Sequence, residues 1–363
     1  MQVDQIKNLL EMAVSENISD ILLVPDNPPI IKFSDRTTEY GGSDLTANDI
    51  ENFAQEVLSG RHEELHNIKS KSVSYELKDI GRFRVSLFRS RFNLCLSIRI
   101  IPVEVRSFED LNLPEQISSI AQLKRGLVLI TGATGQGKST TISAILEEIN
   151  RTREGIIITI EDPIEFTYNK QKSVIIQREL GEDIPNLAQA LDETLRHSPN
   201  VIMVSEIRNK ETFEGVLTLA ETGHLVISSI HTSDAKTTIL RILDYYNEPE
   251  RKSIRNRLAN SLVVVVSQRL VRSAPSQIAE RIPVCEILQV SSAVAETIRN
   301  PDKIQDLQTY MEKGHDYYGM QTFDQHLIKL LNQAKIELDT ALAYANSPDE
   351  VRRAYTLSGR GLD

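Results

Sequence analysis

Basic charge, long apolar runs and cysteine are all scarce in this chain of 363 residues. Its 41 Lys and Arg stand against 51 Asp and Glu, a net charge of −10. That balance excludes a general nucleic-acid footprint, which needs a basic surface, although a local basic patch remains open. No apolar stretch approaches the roughly 20 residues of a membrane-spanning helix. Residues 262–266 are a short strand or a buried helix segment. No signal-peptide pattern is visible at the start, so the expectation is a cytoplasmic protein whose membrane association comes only through a partner. Cys95 and Cys285 both sit in apolar stretches and read as small core residues. Neither belongs to a C-x-x-C, so no zinc module is suggested. Internal repeats and low-complexity tracts are also missing. What is present is ordinary for a globular protein: 40% hydrophobic and 25% charged residues, on a chain long enough for two domains.

Residues 1–101 mix helical and strand-like patterns. Ile6, Leu9, Leu10, Met12 and Ala13 predict an opening amphipathic helix. Residues 20–24 and 30–33 read as strands either side of a Pro28-Pro29 turn, and 74–77 and 82–88 as strands either side of Asp79-Ile80-Gly81, with another at 94–101. A small α+β domain fits. Residues 102–114, with two prolines and no sustained period, read as a linker. From 115 to about 270 apolar strands alternate with helices, the pattern of a mostly parallel sheet, with strands expected at 127–130, 156–160, 201–204 and 225–230. From 293 onward the chain reads as short helices broken near Pro301, Gly314 and Gly319, and residues 358–363 as a frayed end.

One stretch carries a specific chemistry. Gly132-Ala133-Thr134-Gly135-Gln136-Gly137-Lys138-Ser139 fits G-x-x-x-x-G-K-S/T, the phosphate-binding P-loop. An apolar strand precedes it. A helix follows, with Ile142, Ile145, Leu146 and Ile149 on one face. Strand, Gly-rich turn and helix N-terminus gather backbone N–H groups and the positive end of a helix dipole at one point, which suits a triphosphate. Gly132, Gly135 and Gly137 permit φ > 0 and close approach of the backbone. Lys138 reaches the β- and γ-phosphates, and the Ser139 hydroxyl ligates Mg²⁺. The nucleotide-binding set is Thr134, Gly135, Gln136, Gly137, Lys138, Ser139 and Thr140.

Three further segments fall at predicted strand ends, where ligands sit in open α/β sheets. Glu161, Asp162 and Glu165 follow one strand. They read either as acids that position or deprotonate a water or as a Pro-terminated acidic turn. Val201 to Val204 lead into Ser205 and Glu206, a Walker-B-like apolar strand ending in an acid that holds Mg²⁺ or its water shell. His224 and His231 bracket a buried strand. Each reads either as a group that senses or stabilises charge on the γ-phosphate or as a hydrogen-bonded structural histidine.

Taken in order, G-A-T-G-Q-G-K-S-T, I-T-I-E-D-P-I-E-F, A-E-T-G-H-L-V and S-I-H-T-S-D-A resemble the Walker A motif, Asp box, Walker B region and His box of the secretion ATPase superfamily of hexameric motors. Within it the chain most resembles the PilT-like ATPases that retract type IV pili. S-D-I-L-L-V-P-D-N-P-P, G-R-F-R-V and G-M-Q-T-F-D extend the resemblance over nearly the whole chain. The short N-terminus and missing C-x-x-C set it apart from assembly-type relatives.

The resemblance implies a PAS-like N-terminal domain over 1–101, a linker over 102–114, and a RecA-like P-loop ATPase domain over 115–363 that ends in helices from about 293. It implies a homohexamer that uses ATP and Mg²⁺ and acts through an inner-membrane platform protein, at the inner face of the cytoplasmic membrane. Glu165 matches the general base, Glu206 the Walker B acid, His231 the His-box residue and His224 its companion. Arg84 and Arg99 match two arginines that close onto the γ-phosphate. Arg82, Arg89 and Arg91 crowd the same region and read equally as a solvated basic edge. The family's Walker B reads G-E-M-R-D, where this chain has Ser205, Glu206, Ile207, Arg208 and Asn209. Its S-D-L-H-L is Ser19 to Leu23 here, without the histidine, and its A-I-R-N-L-I-R-E is altered at 293–300. An ATPase for secretion or pilus assembly, a regulatory nucleotide switch and a DNA translocase are the competing readings. The acidic balance disfavours the last.

Overall fold

A computed structural model describes residues 3–16, 18–33, 36–59, 65–78, 80–101, 105–277 and 281–357. Asp79, residues 102–104 of the expected linker and the tail 358–363 lie outside them. The chain divides into two compact units. The first runs to residue 104 and includes Glu165–Tyr168; the second holds Val105–Ile164 and Asn169–Asp363. Residues 105–114, the rest of the expected linker, therefore group with the second unit, where Lys335 donates to Asn112 Oδ1 at 2.8 Å.

In the first unit the opening helix, Val3–Ser15, buries Ile6, Leu9, Leu10 and Ala13, the spacing of one helical face. Six strands follow: β1 Asp20–Leu23, β2 Ile30–Lys32, β3 Thr37–Glu39, β4 Ser70–Leu77, β5 Gly81–Ser90 and β6 Asn93–Ile101. They form one antiparallel sheet in the order β3-β2-β1-β6-β5-β4. A second helix, Ala47–Val57, starts on a capping box between Thr46 and Asp49. Its Phe53 meets Tyr75 edge-on at 5.7 Å, beside the buried Phe83.

The second unit is built on a seven-stranded sheet. Its strands are β7 Gly126–Thr131, β8 Gly155–Glu161, β9 Ser173–Glu179, β10 Val201–Val204, β11 Leu225–Ile230, β12 Leu262–Arg272 and β13 Arg281–Gln289. The order is β13-β12-β7-β11-β10-β8-β9. Every neighbouring pair is parallel except β12 with β13. β7, β10 and β11 are buried along their whole length. Each fully buried Val, Leu or Ile contributes roughly 1.5–3 kcal/mol of transfer free energy, so these strands anchor the loops at their carboxyl ends. The segment 262–266, left between strand and helix by its sequence, is the start of the 11-residue β12. Helices Ser292–Arg299, Leu307–Lys313, His315–Tyr318, Phe323–Asn332, Leu338–Tyr344 and Pro348–Leu357 complete the helical C-terminal region. Cys95 and Cys285 are both buried thiols.

Candidate nucleotide-binding site

The order of strands decides which side chains meet. β8, β10, β11 and β7 lie side by side in that order, and each carries a motif at its carboxyl end. After β7 the loop turns through Gly132, Gly135 and Gly137 at φ of 149°, 78° and 80°, the positive values that the glycines permit. The helix Lys138–Thr152 then begins on Gly137 with no side-chain cap. Its first N–H groups are thus not used up by a capping side chain, which is the arrangement that receives phosphate. Thr134, Gly135 and Ser139 are exposed on the loop, while Gln136 and Thr140 are partly buried. Gln136 contributes backbone only, because its side-chain Oε1 accepts the Leu270 N–H at 2.5 Å.

Lys138 is buried, and its ammonium is held by the loop itself. Nζ donates to the Gly132 carbonyl at 2.9 Å and the Ala133 carbonyl at 3.0 Å, and lies 3.1 Å from His231 Nδ1. Nδ1 also lies 3.3 Å from the Gly132 carbonyl; the closer ammonium cannot accept and Glu206 faces Nε2, an arrangement that suits the tautomer with Nδ1 as acceptor and the hydrogen on Nε2. Nε2 lies 2.9 Å from Glu206 Oε1. Glu206 Oε2 accepts from Arg208 Nε at 2.9 Å, and Arg208 Nη1 reaches Asp162 Oδ2 at 3.1 Å. A continuous chain, Asp162–Arg208–Glu206–His231–Lys138, thus crosses four strand ends in the order of the strands themselves.

The three acids after β8 part ways. Glu161 is buried and accepts from Thr159 Oγ1 at 2.6 Å and Gln177 Nε2 at 2.9 Å, so it is spent inside the fold. Asp162 closes the chain to Arg208. Glu165 belongs to the segment grouped with the first unit. His224 stands at the opposite end of β11 from His231, some 20 Å away at about 3.3 Å per residue. There Nδ1 lies 3.1 Å from Thr222 Oγ1 and 3.0 Å from the Leu219 carbonyl. His224 is therefore not gathered with the others. The sequence presents Asp162 as one of three acids with an acidic turn as the alternative, and Arg208 as a residue of the Walker B stretch; the structure joins the two to each other and to Glu206. The order β8-β10-β11 brings their loops together.

In the first unit Arg84 and Arg99 are direct partners across β5 and β6. Arg99 Nε donates to Asp20 Oδ1 at 2.9 Å. Arg89 is structural: it donates to the carbonyls of Leu65 at 2.9 Å, Ile68 at 3.1 Å and Phe92 at 2.8 Å. Arg91 forms the β5–β6 turn with Phe92, both at positive φ.

Among the described residues no group of three or more His, Cys, Asp or Glu is arranged to hold a metal ion. Ser139 offers a hydroxyl and Glu206 a carboxylate, the kinds of donor Mg²⁺ takes beside waters and phosphate oxygens.

A family model for type II/IV secretion system proteins matches residues 69–341. The chain belongs to this family. A twitching motility protein of Neisseria gonorrhoeae is 36% identical over 324 residues, covering 89% of this chain and 86% of that one. The type IV pilus retraction ATPase PilT of Pseudomonas aeruginosa is 32% identical over 345 residues, covering 95% and 99%. Among solved structures, the pilus retraction motor PilT with bound ADP superposes with a TM-score of 0.87 at 35% identity, covering 97% and 99%.

Of the departures from the family's Walker B pattern, Asn209 has a local explanation and the Ser205 side chain has none. Asn209 caps the helix Lys210–Glu221, accepting from the Thr212 N–H at 2.9 Å, a role in which Asn and Asp are equivalent. Ser205 is tied in by its backbone, with its N–H to the Ile160 carbonyl at 3.0 Å and its carbonyl accepting from Ser229 Oγ at 2.6 Å. The chain Asp162–Arg208–Glu206–His231–Lys138 closes without either side chain.

Proposed function

We propose that this family member is a motor ATPase that couples ATP hydrolysis to retraction of a type IV pilus. The observation that carries the reading is the P-loop lysine joined through His231 to Glu206, on a chain similar to PilT along nearly its whole length. ATP phosphates are received by the N–H groups of residues 134–140 and the uncapped helix start. Lys138 exchanges the Gly132 and Ala133 carbonyls for phosphate oxygens, and that exchange frees His231 and Glu206 to respond to what is bound. Bound Mg²⁺, held by Ser139 and through water by Glu206, supplies positive charge to the β- and γ-phosphates. Glu165 orients the attacking water, and Arg84 and Arg99 donate to the γ-phosphate. His224 takes no part in these steps.

The working form in this reading is a homohexamer, bound at the inner face of the cytoplasmic membrane to a platform protein of the pilus machine. Among the described residues no helix is long and apolar enough to cross a membrane, in keeping with contact through a partner. The test is a chromosomal Lys138→Ala in the native host, with surface pili counted by electron microscopy. Excess pili that do not retract are expected. Loss of pili would assign the motor to assembly, and unchanged pili would move it to secretion.

A further inference from the structure

We propose that Gln268, on β12, is a positioning residue that holds the P-loop in its phosphate-receiving shape. The inference rests on nucleotide binding at the P-loop, the reading given above. β12 runs parallel to β7 with Ser267 opposite Thr131, so Gln268 comes level with the first glycine of the loop. It is 3% exposed, and both ends of its amide are engaged. Oε1 accepts from Thr141 Oγ1 at 2.7 Å, and Nε2 donates to the Gln136 carbonyl at 2.8 Å. The orientation of the amide is fixed by chemistry: a carbonyl only accepts, so nitrogen must face Gln136 and oxygen the threonine hydroxyl.

The consequence lies in the peptide between Gln136 and Gly137. In a trans peptide the C=O and the following N–H point in opposite directions. Pinning the Gln136 carbonyl toward β12 therefore aims the Gly137 N–H away from it, as a phosphate donor needs. The same residue shapes the loop at two more points. A Cβ on Gly132 would lie 2.5 Å from the Gln268 carbonyl oxygen, and one on Gly137 would lie 2.9 Å from Gln268 Nε2. Gln136 answers with its own side chain on the Leu270 N–H. The loop is thus latched to β12 at Gln136 through both its carbonyl and its side chain, packs closely on β12 at Gly132, and its helix is latched at Thr141.

The test is ADP titration with Mg²⁺ by calorimetry on the full chain, with the nucleotide-free melting temperature and the ATP KM and kcat measured alongside. Removing one hydrogen bond that orients a buried peptide predicts about a tenfold loss of ADP affinity and a similar rise in KM for Gln268→Ala, with kcat within about twofold. Gln268→Glu supplies the signature. As a carboxylate it cannot donate to the Gln136 carbonyl, and it places negative charge behind the phosphates. When protonated it donates again, so its ADP affinity relative to wild type at the same pH, a ratio that cancels the titration of the ADP phosphate itself, must rise as pH falls from 8 to 6. Thr141→Val removes the other partner and should cost a few-fold. Wild-type affinity in Gln268→Ala and Gln268→Glu at both pH values, with only the melting temperature lowered, overturns the proposal. If Gln268→Ala does not fold, the pH response of Gln268→Glu decides alone. A wild type that fails to bind ADP, or a Lys138→Ala that binds it normally, would instead sink the nucleotide-site reading.

Discussion

Glu286 shows how a single buried group can set the pH behaviour of the second unit. It is 4% exposed on β13, and its carboxyl is pushed up to about 7, first by burial and also by Asp234. The Ala235 N–H, donated to Oε1 at 2.8 Å, and the Arg269 charge pull the other way and lose. The folded protein therefore holds this proton more tightly than the unfolded chain, whose carboxyl titrates near 4.5. Between those values the unfolded state gives up its proton first, so stability falls as pH rises and levels off above about 7. The full difference amounts to at most about 3 kcal/mol. Glu286→Gln keeps an acceptor for Ala235 and cannot ionise. Its melting temperature should match the wild type at about pH 4 and exceed it by several degrees at pH 8. A difference that stays constant across that range would refute the assignment. Single residues such as this one were opaque in the sequence. An acid inside an apolar strand announces nothing until its neighbours on β12 and at the start of the helix Ala235–Leu243 are known.

Elements differ in how openly they announce themselves. β7, the P-loop and its helix were legible because an apolar run, three glycines and a helical face agree over adjacent segments. β12 was not, since a short apolar run fits a strand or a buried helix equally. β13 was concealed by Pro283, tolerated because β13 closes the edge of the sheet, where a missing N–H costs no ladder bond. The helix Ala47–Val57 did carry its signal, with Ile50, Phe53, Ala54 and Val57 on one face, but its many polar residues masked it. Within the P-loop the glycines are not equivalent, and the difference can be measured without nucleotide. At Gly135 a Cβ would meet nothing within 4 Å, so Gly135→Ala carries only the strain of positive φ, about 1–2 kcal/mol. At Gly132 the same Cβ would press on the Gln268 carbonyl, a backbone atom that cannot swing aside. Gly132→Ala should therefore destabilise by clearly more than Gly135→Ala in urea unfolding. Equal losses would mean that β12 yields, and that the loop is less firmly latched than its hydrogen bonds imply.

At the scale of the molecule, the proposed site residues are distributed over two units. Every member of the chain from Asp162 to Lys138 lies in the second unit, as do all the loop N–H groups, so nucleotide affinity should depend on that unit alone. Arg84, Arg99 and Glu165 belong to the first. The arginines face each other across β5 and β6, and like charges directly opposite are destabilising by a fraction of a kcal/mol. Asp20 relieves Arg99, while Arg84 has no ion pair among the described residues. In the proposed reading, Arg84, left without an ion pair beside Arg99, is the one suited to receive an anion. Arg84→Ala should accordingly leave ADP affinity at the wild-type level, and its melting temperature unchanged or slightly raised. Turnover should fall by a factor on the order of 10³, the lower range for an arginine donated to a γ-phosphate. If the working form is the proposed ring, ATPase activity per wild-type subunit should rise with protein concentration. Arg84→Ala should stay low at every concentration. An Arg84→Ala protein that weakens ADP binding as much as turnover would place the arginine in ground-state binding and remove it from the hydrolytic step.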